Sequence, residues 1–415
     1  MPDWMPEFVT PQLIVSLLVL VTVLHVALGL AAYFILAERK LSAWMQDRYG
    51  PNRTGPFGLL QPLADGLKLF LKEDFMPKGV DKTLFTLAPV MTAIPAILSF
   101  VIIPYGGTLD LSSIPFLNLA GEVEIVGANV NIGVLFIVTT ASLGVYGVVL
   151  GGWASNNKYS FLGGLRASAQ MISYEIPMGL ALLCVILMAG SIRPDEIVAA
   201  QTTGGGAWFI VHQPLAALIF YVCMLAEANR TPFDLAEAEA ELVGGWHTEY
   251  SSMRWALFFL GEYVNLFVGG AFFAILFLGG WSVNPVPGLI PIDLTATGAA
   301  SIWLILAQVG VVMGKAVALV LFAQVIRWTL PRFRFDQLMR LAWEGMIPAS
   351  LLLLLVTSFF VLMGWTGWMW VGSLGAFAVI WIVHPHMPRQ KNPNHKLPMI
   401  GSRFNPIGSP AGSLD

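Results

Sequence analysis

The sequence predicts an all-α polytopic membrane protein with about nine transmembrane helices. It places the N-terminus outside, the C-terminus in the cytoplasm, and an amphipathic helix at the membrane interface. Three observations carry this prediction. Of 415 residues, 56% are hydrophobic and 11% are charged, whereas an ordinary soluble domain is roughly 25% charged. Nine runs approach the ~20 apolar residues that a membrane-spanning helix needs. Finally, Lys and Arg fall almost entirely between alternate runs, as the positive-inside rule requires.

The first run, 12–37, follows the N-terminal MPDWMPEF, which lacks the basic segment of a cleavable signal. It closes on Glu38-Arg39-Lys40. Within 58–73, Leu60, Leu63, Leu67, Phe70 and Leu71 share one face, and Asp65, Lys68, Lys72 and Glu73 lie off it. That pattern predicts a helix lying in the interface plane. Further runs at 84–104, 132–152, 171–190, 207–227, 256–280, 302–326, 347–365 and 368–384 complete the set, the last two separated by Thr366-Gly367. Residues 1–384 therefore read as one transmembrane domain, and the Pro-, Asn-, Gly- and Ser-rich stretch 385–415 as a disordered cytoplasmic tail.

Orientation follows from counting bases. Segments 38–83, 153–170, 227–255, 327–346 and the tail hold 20 of the 22 Lys and Arg. Arg193 stands alone on the other side, and Lys315 lies inside a span. The loop 227–255 accordingly faces the cytoplasm. Its first part, EANRTPFDLAEAEAELVGGWHTEY (227–250), is the most acidic stretch of the chain. Thr231 fits a helix N-cap, Pro232 the first helical position and Asp234 a capping box. A helix starting there would put Asp234, Glu237 and Glu241 on one face and end at Gly244-Gly245. An acidic first turn that complements the helix dipole accounts for Asp234 and Glu237, but not for Glu227 at the end of an apolar run.

Carboxylates at membrane depth are the sharpest chemical signal. Glu175 lies near the start of the fourth run, Glu227 ends the fifth and Glu262 is inside the sixth. Burying such groups is costly, so they pair, carry a shifted pKa or relay protons. Lys315 either offsets one of them or is structural. His25 reads as a hydrogen-bonded core residue. His384 and His386 sit where a run meets the tail and do not read as a metal pair. Cys184 and Cys223 both fall in apolar runs and cannot form a zinc or iron–sulfur set. Walker A, Rossmann and zinc motifs are missing as well, so a cofactor for redox chemistry would sit on another subunit.

Two motifs carry a resemblance: GLLQPLADGLK with Lys72-Glu73, and Glu227–Leu242. Glu38-Arg39-Lys40, Ile172-Ser173-Tyr174-Glu175, His247-Thr248-Glu249-Tyr250 and Pro331–Met339 support them. On these the chain, over about 25–365, resembles the H-subunit family of NADH-quinone oxidoreductases, membrane subunits of bacterial respiratory complex I. The resemblance implies a multi-pass subunit of the bacterial plasma membrane that forms the membrane part of the quinone chamber. It places Arg39, Asp65, Arg230, Asp234, Glu237, Glu239, Glu241 and Arg327 around that chamber and its loop, and Glu175, Glu227, Glu249 and Glu262 in a proton relay. It also implies that quinone is the substrate, that this chain binds no cofactor, and that FMN and iron–sulfur clusters belong to partner subunits. The partners implied are the hydrophilic quinone-site subunits, the small and antiporter-like membrane subunits, and lipids, with no nucleic acid. Two other readings share the carboxylates: the ion-translocating subunit of an energy-converting hydrogenase, and a stand-alone transporter.

Overall fold

The computed structural model describes residues 10–113, 121–202, 206–286, 289–290, 294 and 300–383. The predicted tail, with His384 and His386, lies outside the described residues. The chain forms two compact units, Met1–Phe377 and Ala378–Asp415. In the second, the described residues are the end of the final helix.

The architecture is helical. α1 (Pro11–Met45) is capped by the Thr10 hydroxyl and runs past Glu38 to the end of the basic motif. α2 (Gln61–Leu71) is the amphipathic helix, and Leu63, Leu67, Phe70 and Leu71 on its apolar face are exposed. α3 (Lys82–Ser99) starts at an Asp81 cap. A short antiparallel pair, β1 (Thr108–Asp110) and β2 (Glu122–Glu124), follows with Leu109 opposite Val123. α4 (Gly133–Ala154) and α5 (Lys158–Ala189) come next, then α6 (Pro194–Thr202), α7 (Phe209–His212) and α8 (Pro214–Glu227). α9 (Glu239–Leu242) is a single turn. α10 (Ser252–Phe277) and α11 (Ile302–Thr329) are long. α12 (Phe335–Arg340) passes through a π-helical segment, Leu341–Met346, into α13 (Ile347–Leu362), and α14 (Met369–Val383) closes the series.

Eight helices, among the described residues, are long and apolar enough to cross a membrane. The exception is the predicted span 207–227, which breaks into α7 and α8. Pro214 disfavours helical backbone at the residue before it, and Gln213 is non-helical at φ −131°, ψ 63°. The 14 residues of α8 rise only ~21 Å, short of the ~30 Å apolar core of a bilayer. α10 is the most enclosed span. It packs against α1, α3, α8 and α11, while α5 packs against α4, α8 and α13. Few side chains of α1 and α14 are buried.

The acidic loop departs from the helix predicted for it. Residues 229–238 are irregular, and only Glu239–Leu242 makes a helical turn. The reason is tertiary. Gln170 on α5 donates through Nε2 to the carbonyls of Ala226 and Phe233, both at 2.8 Å, engaging oxygens that a helix would use itself. Asn229 turns the chain at φ +48°. Gly245 then crosses so close to the strand before it that a Cβ would lie 1.8 Å from the Ala236 carbonyl oxygen. Asp234, Glu237 and Glu241 therefore share no helical face.

Candidate functional site: a buried charge cluster beside an apolar pocket

The site is built where α1, α10 and α11 meet the acidic loop. Glu38 ends the apolar part of α1, and its two oxygens are divided between three partners. Oε1 pairs with Arg327 Nη1 of α11. Oε2 accepts from the Tyr263 hydroxyl of α10 at 2.6 Å and lies 3.8 Å from Arg230 Nη1. Arg230 reaches the other way with Nη2, 3.6 Å from Glu262 Oε2. Its guanidinium stacks over the Tyr263 ring at 4.0 Å, an orientation that ring quadrupoles favour. The Arg230 side chain is only 7% exposed, so burial works against its charge. Tyr263, Glu262, Glu38 and Glu237 outweigh burial and hold its pKa above that of an ordinary arginine.

Asp234, in the irregular loop, extends the cluster and lies 3.1 Å from Arg332 Nη2. Its pKa is pushed up to about 7, first by burial and then by the like charge of Glu237, against the opposing pull of Arg332, Arg327 and Arg230. Glu237 also lies 4.0 Å from His247 Nε2 and close enough to Glu262 to interact with it directly.

A small cavity of about 30 Å³ adjoins this cluster at Glu262, and Glu227, Asn229 and Asn265 also line it. Glu175 accepts a hydrogen bond from the Ser142 hydroxyl of α4 and acts electrostatically on Glu227. Three of the four predicted relay carboxylates thus follow one another from α10 through α8 to α5. Glu249 does not line that cavity and instead accepts from Asn157 Nδ2 at 2.6 Å, at the start of α5.

An apolar pocket of about 300 Å³ opens between α1, α2 and α10, at the lower end of the range for small-molecule sites. Ile35, Leu36, Leu69, Trp255 and Phe259 form its walls, and Arg39 and Asp65 its charged rim. Arg39 Nη1 donates to Asp65 Oδ2 at 2.7 Å, and Gln61 Nε2 holds the other oxygen at 3.1 Å. Phe259 belongs to both regions: it lines the pocket and carries the Arg230 guanidinium 5.7 Å above its ring.

Among the predicted chamber residues, Arg39 and Asp65 meet at the pocket rim, while Arg230, Asp234, Glu237 and Arg327 meet in the cluster. Glu241 pairs with Arg166 at 2.6 Å on the exposed side of the loop, away from these contacts. The Glu239 side chain lies outside the described residues. Glu38 and Tyr263 join the site without having been expected there from the sequence, and Arg332 joins them. For Glu38 the available signal was a carboxylate directly before two bases at the end of an apolar run.

Among the described residues, Lys315 offsets no carboxylate. Its ammonium donates to the carbonyls of Leu278, Gly280 and Ser282 at 2.5, 2.7 and 2.5 Å, capping the end of α10. His25 bonds the Val21 carbonyl of its own helix, on an exposed face and not in the core. Cys184 and Cys223 are free and buried. Among the described residues, no group of three or more His, Cys, Asp and Glu is placed to hold a metal ion.

Fold and site together define a multi-pass helical membrane protein that keeps carboxylates and arginines paired at depth beside an apolar pocket. The family model described as NADH dehydrogenase matches residues 17–358. The chain is 49% identical over 341 residues to an NADH-quinone oxidoreductase H subunit (the one numbered 1) of Geobacter metallireducens, covering 82% of this chain and 94% of that protein. It is 46% identical over 365 residues to the NADH-quinone oxidoreductase H subunit of Rhodospirillum rubrum, covering 87% and 98%. Over 341 residues it is 44% identical to the corresponding H subunit of Leptospira biflexa, covering 81% and 92%. The chain belongs to the H-subunit family of NADH-quinone oxidoreductases, and as a membrane subunit of that enzyme it works with the other subunits of complex I.

Proposed function

We propose that this chain forms the membrane wall of the quinone chamber and a carboxylate relay that couples quinone reduction to proton translocation. The observation that carries the proposal is the contact between pocket and cluster. Phe259 lines an apolar pocket of about 300 Å³, and the Arg230 that bridges Glu38 and Glu262 rests on it. Arg39 and Asp65 at the rim offer a donor and an acceptor to a polar headgroup, while the exposed apolar face of α2 meets lipid.

Reduction of a quinone places negative charge beside the pocket and draws protons to it. Arg230 responds to that charge because it is shared between Glu38 and Glu262 and pulled by both. A shift of Arg230 toward the pocket weakens its hold on Glu262, which then gains a proton. Glu262 and Glu227 share one cavity, Glu175 acts electrostatically on Glu227, and the three pass that change sideways through the membrane. The electron-carrying FMN and iron–sulfur clusters sit on partner subunits in this reading. The N-terminus lies outside and the basic loops face the cytoplasmic partners.

Glu262→Gln keeps the size and much of the hydrogen bonding of the side chain but abolishes its charge. The expected outcome in native membranes is a loss of NADH-driven quinone reduction and proton pumping of roughly tenfold or more, the scale of a positioned proton-transfer group. Full turnover with full pumping would rule the relay out.

A further inference from the structure

The relay above needs a place where its first loop carboxylate exchanges protons with water. Glu237 reaches toward Glu262, but its Oε1 is buried and the whole side chain is only 19% exposed. The group beside its other oxygen is His247, whose Nε2 lies 4.0 Å from Glu237 Oε2 and whose side chain is 23% exposed. Resting on the relay reading, we infer that His247 is the residue through which Glu237 exchanges protons with the aqueous face of the acidic loop.

A close backbone crossing builds this juxtaposition. Gly245, at φ +61°, packs directly on the Ala236 carbonyl and 3.1 Å from the Glu237 Cα, measured from the position of an added Cβ. Only glycine fits there. The crossing sets the residue after Ala236 beside the residue two beyond Gly245. On the far side, Gly163 of α5 lets the Trp246 backbone approach so closely that an added Cβ would sit 2.5 Å from its nitrogen. Trp246 is buried and its indole meets the His247 ring edge-on at 5.1 Å. The Trp255 indole lies on another side at 6.4 Å, and Gly244 leaves space at Cε1. The ring is thus held on an apolar floor with Glu237 as its charged neighbour.

Glu237 itself faces Glu262, Asp234 and Arg230. An imidazole is the side chain that both gains and loses a proton readily near neutral pH. In the transfer, the imidazolium Nε2–H bond breaks and its proton forms an O–H bond on Glu237. The neutral imidazole then takes a proton from water at the vacated nitrogen and releases hydroxide to the aqueous face, so charge and atoms balance without any electron transfer. The ring must close on the carboxylate by ~1 Å to reach hydrogen-bond length, a tightening common between resting and working sites.

The test uses the assembled complex in native membranes, with activity normalised to the amount of this chain. His247→Gln is expected to lower coupled quinone reduction and pumping roughly tenfold. His247→Ala should behave alike and recover on addition of free imidazole. Wild-type turnover and pumping in His247→Gln would overturn the proposal. Loss of activity in His247→Ala that imidazole does not restore would overturn it too, because it marks a structural role. Glu262→Gln, run in parallel, separates the two readings. If it is impaired while His247→Gln is not, only the exchange role falls. If Glu262→Gln is fully active, the relay falls first.

Discussion

Arg230 is the side chain on which the buried charges depend. It is nearly sealed from water, with Glu38 and Glu262 on either side and Tyr263 and Phe259 beneath it. Removing one partner of a buried pair leaves the other charged and unsolvated, at a cost of ~3–5 kcal/mol. Arg230→Met is therefore expected to lower the unfolding temperature of the purified complex and to reduce the amount of this chain in membranes. Arg230→Lys should rescue little, because an ammonium cannot span both carboxylates and stack on a ring as a planar guanidinium does. Asp234 offers a second test at this scale. Its folded-state pKa of about 7 lies above the unfolded value of ~3.9. A raised carboxyl binds its proton more tightly when folded, so its contribution to stability is fullest below pH ~4 and declines as pH rises to about 7. Asp234→Asn carries no such titration. Its stability relative to wild type should rise between those limits and level off above neutrality, in unfolding measured across pH.

The acidic loop is the element with the least regular backbone and the most chemistry. Its conformation rests on Gln170 and on the Gly245 crossing, not on helix propensity. Gly245→Ala puts a methyl carbon 1.8 Å from the Ala236 carbonyl oxygen at a positive φ, which no side-chain rotation relieves. The expected result is loss of the chain from assembled complex, read as its abundance in mildly solubilised membranes. Gly244→Ala makes a fair control, since its added carbon would meet the flexible Thr248 and His247 side chains at 3.3 Å or more. The break at Gln213-Pro214 shows the same principle in a span. Gln213 is buried and donates to the Cys184 carbonyl and the Thr357 hydroxyl, both at 3.4 Å, so neighbouring helices occupy the polar group that the break leaves at depth.

At the scale of the whole molecule, the distribution of bases predicts one orientation, with the N-terminus outside. A cysteine placed before α1 should react with a membrane-impermeant thiol reagent from the outer face of intact cells, and one placed beside Arg332 should react only after lysis. The opposite pattern would invert the topology and move the charge cluster away from the cytoplasmic partners.

Eight of the nine expected spans were legible because hydropathy is a local property. A run of about 20 apolar residues is visible without knowing what packs against it, and the ends of α4, α10 and α11 fell close to where the runs stopped. The α2 face was legible because its period is written within 14 residues, Leu60 to Glu73. The helix expected from Thr231 was wrong for the matching reason. Its capping residues are local signals, but Gln170, 63 positions before Phe233, competes for the carbonyls that those signals assume are free. Residue types alone thus determined a multi-pass helical protein with carboxylates at depth and a basic side. Tertiary structure alone decided which of them meet: Glu38 finds Tyr263 225 residues away and Arg327 289 residues away. Such pairings depend on how helices pack side by side, and no period along the chain encodes that.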